Sequence, residues 1–199
     1  MAPYYGPHQS QYCPACSSNT RRNGCTWTTL VNNIINVSKG KKHPSPDYIH
    51  SLVRTSETTD PRTPGWSVPD AVLASERYAR RAGNDALRLV NRTDIGFAGV
   101  HGWNGIQLAL KNMRYVMLQG DSDRFGNNTC SGAFNGNHMI GINPRTRMHN
   151  SRRQHLINDP ICRTWRWEYD SIIYSYARKL VGTGPLQWAA SKGRVPLVA

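Results

Sequence analysis

The chain of 199 residues carries 25 Lys+Arg against 12 Asp+Glu, a formal net charge of +13 with His neutral. That length suits one domain, or one domain with tails; 38% hydrophobic residues, with six Trp and nine Tyr, argue against a disordered chain, and no apolar run approaches the roughly 20 residues that span a bilayer. The charge implies an anionic partner, whether nucleic acid, a membrane surface or an acidic cell-wall polymer.

Residues 1–18 are rich in Pro, Tyr, Gln and Ser and read as an irregular arm. The run Met1 to Pro7 lacks the basic and apolar regions of a secretory leader, so no signal peptide is expected here. Cys13-Pro14-Ala15-Cys16 can hold zinc with His8 and a fourth ligand, close on itself as a disulfide, or stay as two thiols. Trp27, Leu30, Val31, Ile34 and Ile35 recur at the spacing of one helical face, which predicts a helix from Cys25 to about Lys39-Gly40. Asn23-Gly24 before it is a turn signal, so Cys25 falls at a helix N-terminus. Ser45-Pro46-Asp47 and Ser67-Val68-Pro69-Asp70 each supply an N-cap, an early proline and an acid in the first turn, and predict two more helices. A fourth helix is expected from about Trp103 to Asn112.

The texture then changes to strands. Tyr115–Gln119 reads as a buried strand, followed by a Gly/Asn/Ser-rich loop from Gly120 to Asn137, a strand from His138 to Asn143 and a turn at Asn143-Pro144-Arg145. Gln154–Pro160 gives a third strand ending in Asn158-Asp159-Pro160, Thr164–Glu168 a fourth, and Asp170–Leu180 a helix. Residues from Gly182 onward read as a loose tail. Helices first and strands second indicate an α+β class, with N-terminal helices packed on a C-terminal antiparallel sheet. The expected division is an arm over 1–18, a domain over 19–181 and a tail over 182–199.

The five cysteines are too few for a disulfide scaffold at this length, and an odd thiol is a candidate nucleophile. Cys25 is best placed, because a helix dipole and unsatisfied N–H groups lower a thiol pKa and can hold an oxyanion. Cys130 and Cys162 can pair with each other, which would leave Cys25 over. A thiolate also needs a His base and a group to orient it. Among seven His, His138 stands apart: it follows a long polar loop and begins an apolar strand. If the next strand pairs antiparallel with it, Asp159 returns beside His138; Asn143 is a second candidate orienter.

These pieces together carry a resemblance. Asn23-Gly24-Cys25-Thr26-Trp27-Thr28-Thr29-Leu30 resembles the nucleophile helix of papain-like cysteine peptidases, in particular the bacteriocin-leader-processing (C39-like) group. A Ser/Pro-capped helix at Pro44–Ile49, a Gly-initiated segment at Gly65–Ala71, a strand-opening His in Gly136–Ile142, an Asp-Pro in Ile157–Pro160 and an aromatic/acidic helix start at Trp167–Ser171 follow in the same order. The resemblance covers about residues 19–180. It implies a papain-like fold, with Cys25 as nucleophile, His138 as general base, Asp159 as its orienter and Asn19, where the family has Gln, as oxyanion-hole amide. No metal and no cofactor is implied. It further implies a cysteine peptidase or amidase and, in a chain without a fused transporter, a phage lysin or tail-associated hydrolase that cuts peptidoglycan peptides. Its partners would be peptidoglycan or an anionic wall polymer, and other tail proteins, with the virion or host wall as its place of action. The alternative is a structural tail protein that keeps the peptidase fold. A nucleic-acid binder explains the charge but not the Cys25, His138, Asp159 order.

Overall fold

The structure is a computed structural model and describes residues 1–53, 67–91, 93–97, 99–100, 102–121, 137–162, 164–181 and 188–199. The expected loop, apart from its first two residues and its last, lies outside these residues, as do Cys130, His101 and the Gly65-Trp66 pair.

The chain opens with β1 (Ala2–Pro3) and an irregular stretch, then α1 (Ser18–Asn23), α2 (Cys25–Val37), α3 (Pro46–His50) and α4 (Val68–Ala82). The capping signals act as read. The Ser45 hydroxyl accepts from the Tyr48 N–H at 3.1 Å and that of Ser67 from the Asp70 N–H at 3.3 Å. Gly83, at φ +62°, ends α4 in the left-handed conformation that a C-terminal cap requires. A 3-10 turn (Asp85–Leu87) leads to β2 (Leu89–Val90), and α5 (Gly102–Lys111) leads to β3 (Val116–Asp121). Then follow β4 (Asn137–His149), β5 (Arg152–Asn158), β6 (Arg166–Tyr169), α6 (Asp170–Val181), β7 (Trp188–Ser191) and β8 (Leu197–Val198).

Six strands form one antiparallel sheet in the order β2-β7-β3-β4-β5-β6, and β1 pairs with β8 in a separate two-stranded ladder. The molecule is thus a mixed helix-and-sheet fold. One core lies between the sheet and α2 to α4, built from Leu30, Ile34, Ile49, Ala74, Met117 and Met139. A second lies on the opposite side, from Ile106, Leu110, Val116, Ile140, Ile142, Ile173 and Tyr176. Alternation along β3 and β4 sends successive side chains to these two cores. Among the described residues no helix is long and apolar enough to cross a membrane.

The sheet departs from expectation in two places. Pro144 does not end its strand. β4 continues to His149 past an irregularity that inserts two residues, with Asn143 opposite Leu156 and Thr146 opposite His155. A bulge accepts a proline because the lost N–H needs no ladder partner there, and the Asn143 side chain takes the Arg145 N–H at 2.8 Å. The reversal falls instead at Asn150 and Ser151, both at positive φ (48° and 56°), as a two-residue hairpin turn demands. Second, the segment read as a loose tail supplies β7, a strand hydrogen-bonded on both sides, with Ala189, Ala190 and Ser191 buried.

The arm is irregular in conformation yet docked. Helix α2 is buried on nearly every side, including Thr28, Asn32, Asn33 and Asn36, which a two-layer packing would leave wet. The arm covers that polar stripe at Asn32. Asn32 accepts from the Gln9 N–H and donates to the Gln9 carbonyl, both at 2.9 Å. Asn143, donating to the Tyr4 carbonyl and to Asn36 Oδ1 at 2.9 Å each, ties arm, helix and sheet together.

Candidate active site

Cys25 begins α2 directly after Gly24, which fills the N-cap position without a side-chain acceptor. The first-turn N–H groups of α2 therefore have no side-chain cap. The thiol is outside any disulfide, and Cys25 as a residue is half-buried. The other described cysteines are engaged: Cys13 and Cys16 are joined in a disulfide, which settles the choice left open for that pair. Cys162 is also disulfide-bonded.

Strands β4 and β5 pair antiparallel with Gly141 opposite Asn158, and this register carries Asp159 back to the start of β4. There His138 Nε2 donates to Asp159 Oδ1 at 2.8 Å. His138 is 2% exposed and Asp159 3%. The Cys25 thiol and the His138 ring each favour the other's charged form, and with Nε2 held by Asp159 the nitrogen left for sulfur is Nδ1. Nucleophile, base and orienter thus form one row, with a half-buried Cys25 at its head and the buried His138 and Asp159 behind it. Asn143, the second candidate orienter, is turned toward Tyr4, Asn36 and Arg145 instead.

Electrostatics set the protonation of this row. Burial opposes the thiolate, but hydrogen bonding and charge from His138, with help from the Met139 backbone and the Thr26 hydroxyl, hold the Cys25 pKa below that of an ordinary thiol. Burial likewise opposes a charged imidazole. Asp159 and Cys25 outweigh it and lift His138 to about 9. Asp159 is buried too, yet His138, Arg166 and the Ile161 N–H keep its pKa below the usual carboxylate value. Both shifts run toward thiolate and imidazolium, the reactive form of a cysteine nucleophile.

Reading the sequence missed three supports of this row. Arg166 Nη2 lies 3.7 Å from Asp159 Oδ2, which extends the row to thiolate, imidazolium, carboxylate and guanidinium, with the signs alternating and summing to zero. Tyr176 of α6 donates its hydroxyl to the His138 carbonyl. Its ring also lies against Gly120, opposite His138 in the ladder, where a Cβ would overlap the ring. The arm clamps the turn after β5: the Ser10 hydroxyl and the Gln11 N–H both donate to the Pro160 carbonyl, at 3.0 and 2.9 Å. The alternating run Arg166-Trp167-Glu168-Tyr169 marks a strand, but only its register, Arg166 opposite Ile157, shows that the guanidinium reaches Asp159.

Asn19 lies on the exposed side of α1, the short helix that leads into Gly24 and Cys25. Comparison with protein families and with curated proteins finds no match for this chain.

Proposed function

We propose that this chain is a cysteine peptidase or amidase with a papain-like arrangement. The observation that carries the reading is the row in which the thiol of a half-buried Cys25, lowered in pKa, meets a buried imidazole oriented by a buried carboxylate.

In this reading Cys25 Sγ attacks an amide carbonyl to give a tetrahedral oxyanion. The N–H groups at the start of α2, with Asn19 as an added amide donor, stabilise that charge. His138 passes its proton to the leaving amine, the amine departs, and a thioester remains. Water then attacks the thioester while His138 takes its proton, and collapse of the second tetrahedral intermediate returns acid and thiolate. Asp159 keeps the ring aligned and supports its charge, and the neutral sum with Arg166 makes burial of these ions tolerable.

The substrate we infer is the peptide moiety of peptidoglycan, and the setting a phage-associated lysin or tail protein acting at the host wall. The support is the resemblance of residues 19–180 and the +13 charge, which favours encounter with anionic walls. The test is digestion of purified walls and of soluble wall peptides, followed by assay of new amino groups. Release by the native protein and none by Cys25→Ala is expected; equal release by Cys25→Ala would overturn the mechanism. A native protein that releases no amino groups from either substrate would point to the structural tail role.

A further inference from the structure

The hairpin joining β4 to β5, with β6 beside it, carries a surface that the proposed chemistry does not use. Arg147 sits opposite Gln154, and Gln154 opposite Tyr169, so these three share one side of the sheet. Alternation adds His149, Arg152 and Trp167 to that side. Two guanidinium groups lie over rings there, Arg147 over Trp167 at 4.6 Å and Arg152 over Tyr169 at 4.3 Å, and at the β4 irregularity Arg145 lies over Tyr5 at 4.6 Å. None of these three arginines is within ion-pair distance of a carboxylate among the described residues, whereas neighbouring Arg153 is paired with Asp170. Strands β4, β5 and β6 place no acid on this side; Glu168 falls opposite His155 and so faces the other way.

Stacking holds a guanidinium in place without neutralising it; Arg147 Nε also donates to Gln154 Oε1 and Arg152 Nη2 to Ser171 Oγ, both at 2.7 Å, and these neutral partners fix the groups while leaving their charge. A row of such groups loses little side-chain entropy when an anion arrives, and each matches a phosphate oxygen pair. The same stacking argues against nucleic acid. Single strands bind by laying bases on open aromatic faces, and here a guanidinium occupies a face of each of the three rings. Duplex readout needs an element that enters a groove, whereas this surface is a broad sheet face.

We propose that this face docks a phosphodiester polymer of the cell wall, a poly(polyol phosphate), and holds the enzyme on the wall while Cys25 works. The proposal rests on the peptidase reading for its setting but not for its chemistry. The test uses the full chain with Cys25→Ala, purified poly(glycerol phosphate), and single-stranded and duplex oligonucleotides, with binding followed across a salt series. We expect the polymer to bind more tightly than either oligonucleotide. R147Q/R152Q should weaken polymer binding by about tenfold or more and reduce the slope of log affinity against log salt by about 2. R147K/R152K, which keeps the charge but not the planar stacked fork, should fall between. R80Q/R81Q on α4 should bind as the parent does, and unchanged melting temperatures show that the variants fold.

Undiminished polymer binding by R147Q/R152Q would overturn the proposal, as would preferential binding of an oligonucleotide. Hydrolysis of a soluble wall peptide by the Cys25 protein separates the two readings. If R147Q/R152Q loses polymer binding and the native protein cuts no peptide, the docking face stands and the peptidase reading falls. If peptide is cut and polymer binding ignores the pair, the reverse holds.

Discussion

At Cys25 and His138 the chemistry depends on one proton. The thiolate–imidazolium form exists above the lowered Cys25 pKa and below the raised His138 pKa. Raising the pH through about 9 removes the imidazolium proton that the leaving amine needs, so kcat/KM for a soluble peptide should fall there. It should also fall in acid as the thiolate protonates. Titration of the His138 ring by NMR should give a midpoint near 9 in the native protein and a lower one in Asp159→Asn, which loses an interaction that raises it. A midpoint unchanged in that variant would remove Asp159 from the row. Arg166→Gln should raise the Asp159 pKa, because the guanidinium is one of the groups that lower it, and shift the acid side of the pH profile upward. Gly120→Ala should displace the Tyr176 ring and lower kcat without contact between residue 120 and the reacting atoms. The three members of the row were legible in the sequence because each sits where a chain element starts or stops. Arg166 was not, since its role depends on the β5–β6 register.

At the scale of elements, what local chemistry determines was readable and what pairing determines was not. Ser45 and Ser67 announce their helices because the cap is a contact within four residues. Ser67→Ala should cost about 1 kcal/mol in denaturant unfolding while α4 persists. Pro144 gave a false stop because its missing N–H matters only in a regular ladder, and β4 is irregular there. Strand β7 left no signal: Trp188-Ala189-Ala190-Ser191 lacks β-branched residues and alternation, and it is a strand because β2 and β3 flank it. A chain ending at Val181 would leave β2 and β3 unbridged and should lose its cooperative melting transition. A soluble truncation with native melting would show that β7 is dispensable. Removing residues 1–12 should act differently, by uncovering Asn32 of α2 and unclamping Pro160, so that kcat falls more than KM changes.

For the whole molecule, the β1–β8 ladder sets Ala2 opposite Val198 and Pro3 opposite Leu197, and the Tyr4 N–H donates to the Pro196 carbonyl at 2.7 Å. The backbone thus runs almost in a closed ring, with both ends at one seam. A covalent join of a few residues between Ala199 and Met1 would span that seam without moving any strand. Such a circular chain has fewer unfolded arrangements, and the chain-entropy view puts the gain at about 5 kcal/mol for a loop this long. It also frees the choice of where the backbone is opened. The Asn150-Ser151 hairpin tip, exposed and outside the β1–β8 ladder, is one place where new ends could lie without breaking the link between arm and nucleophile helix.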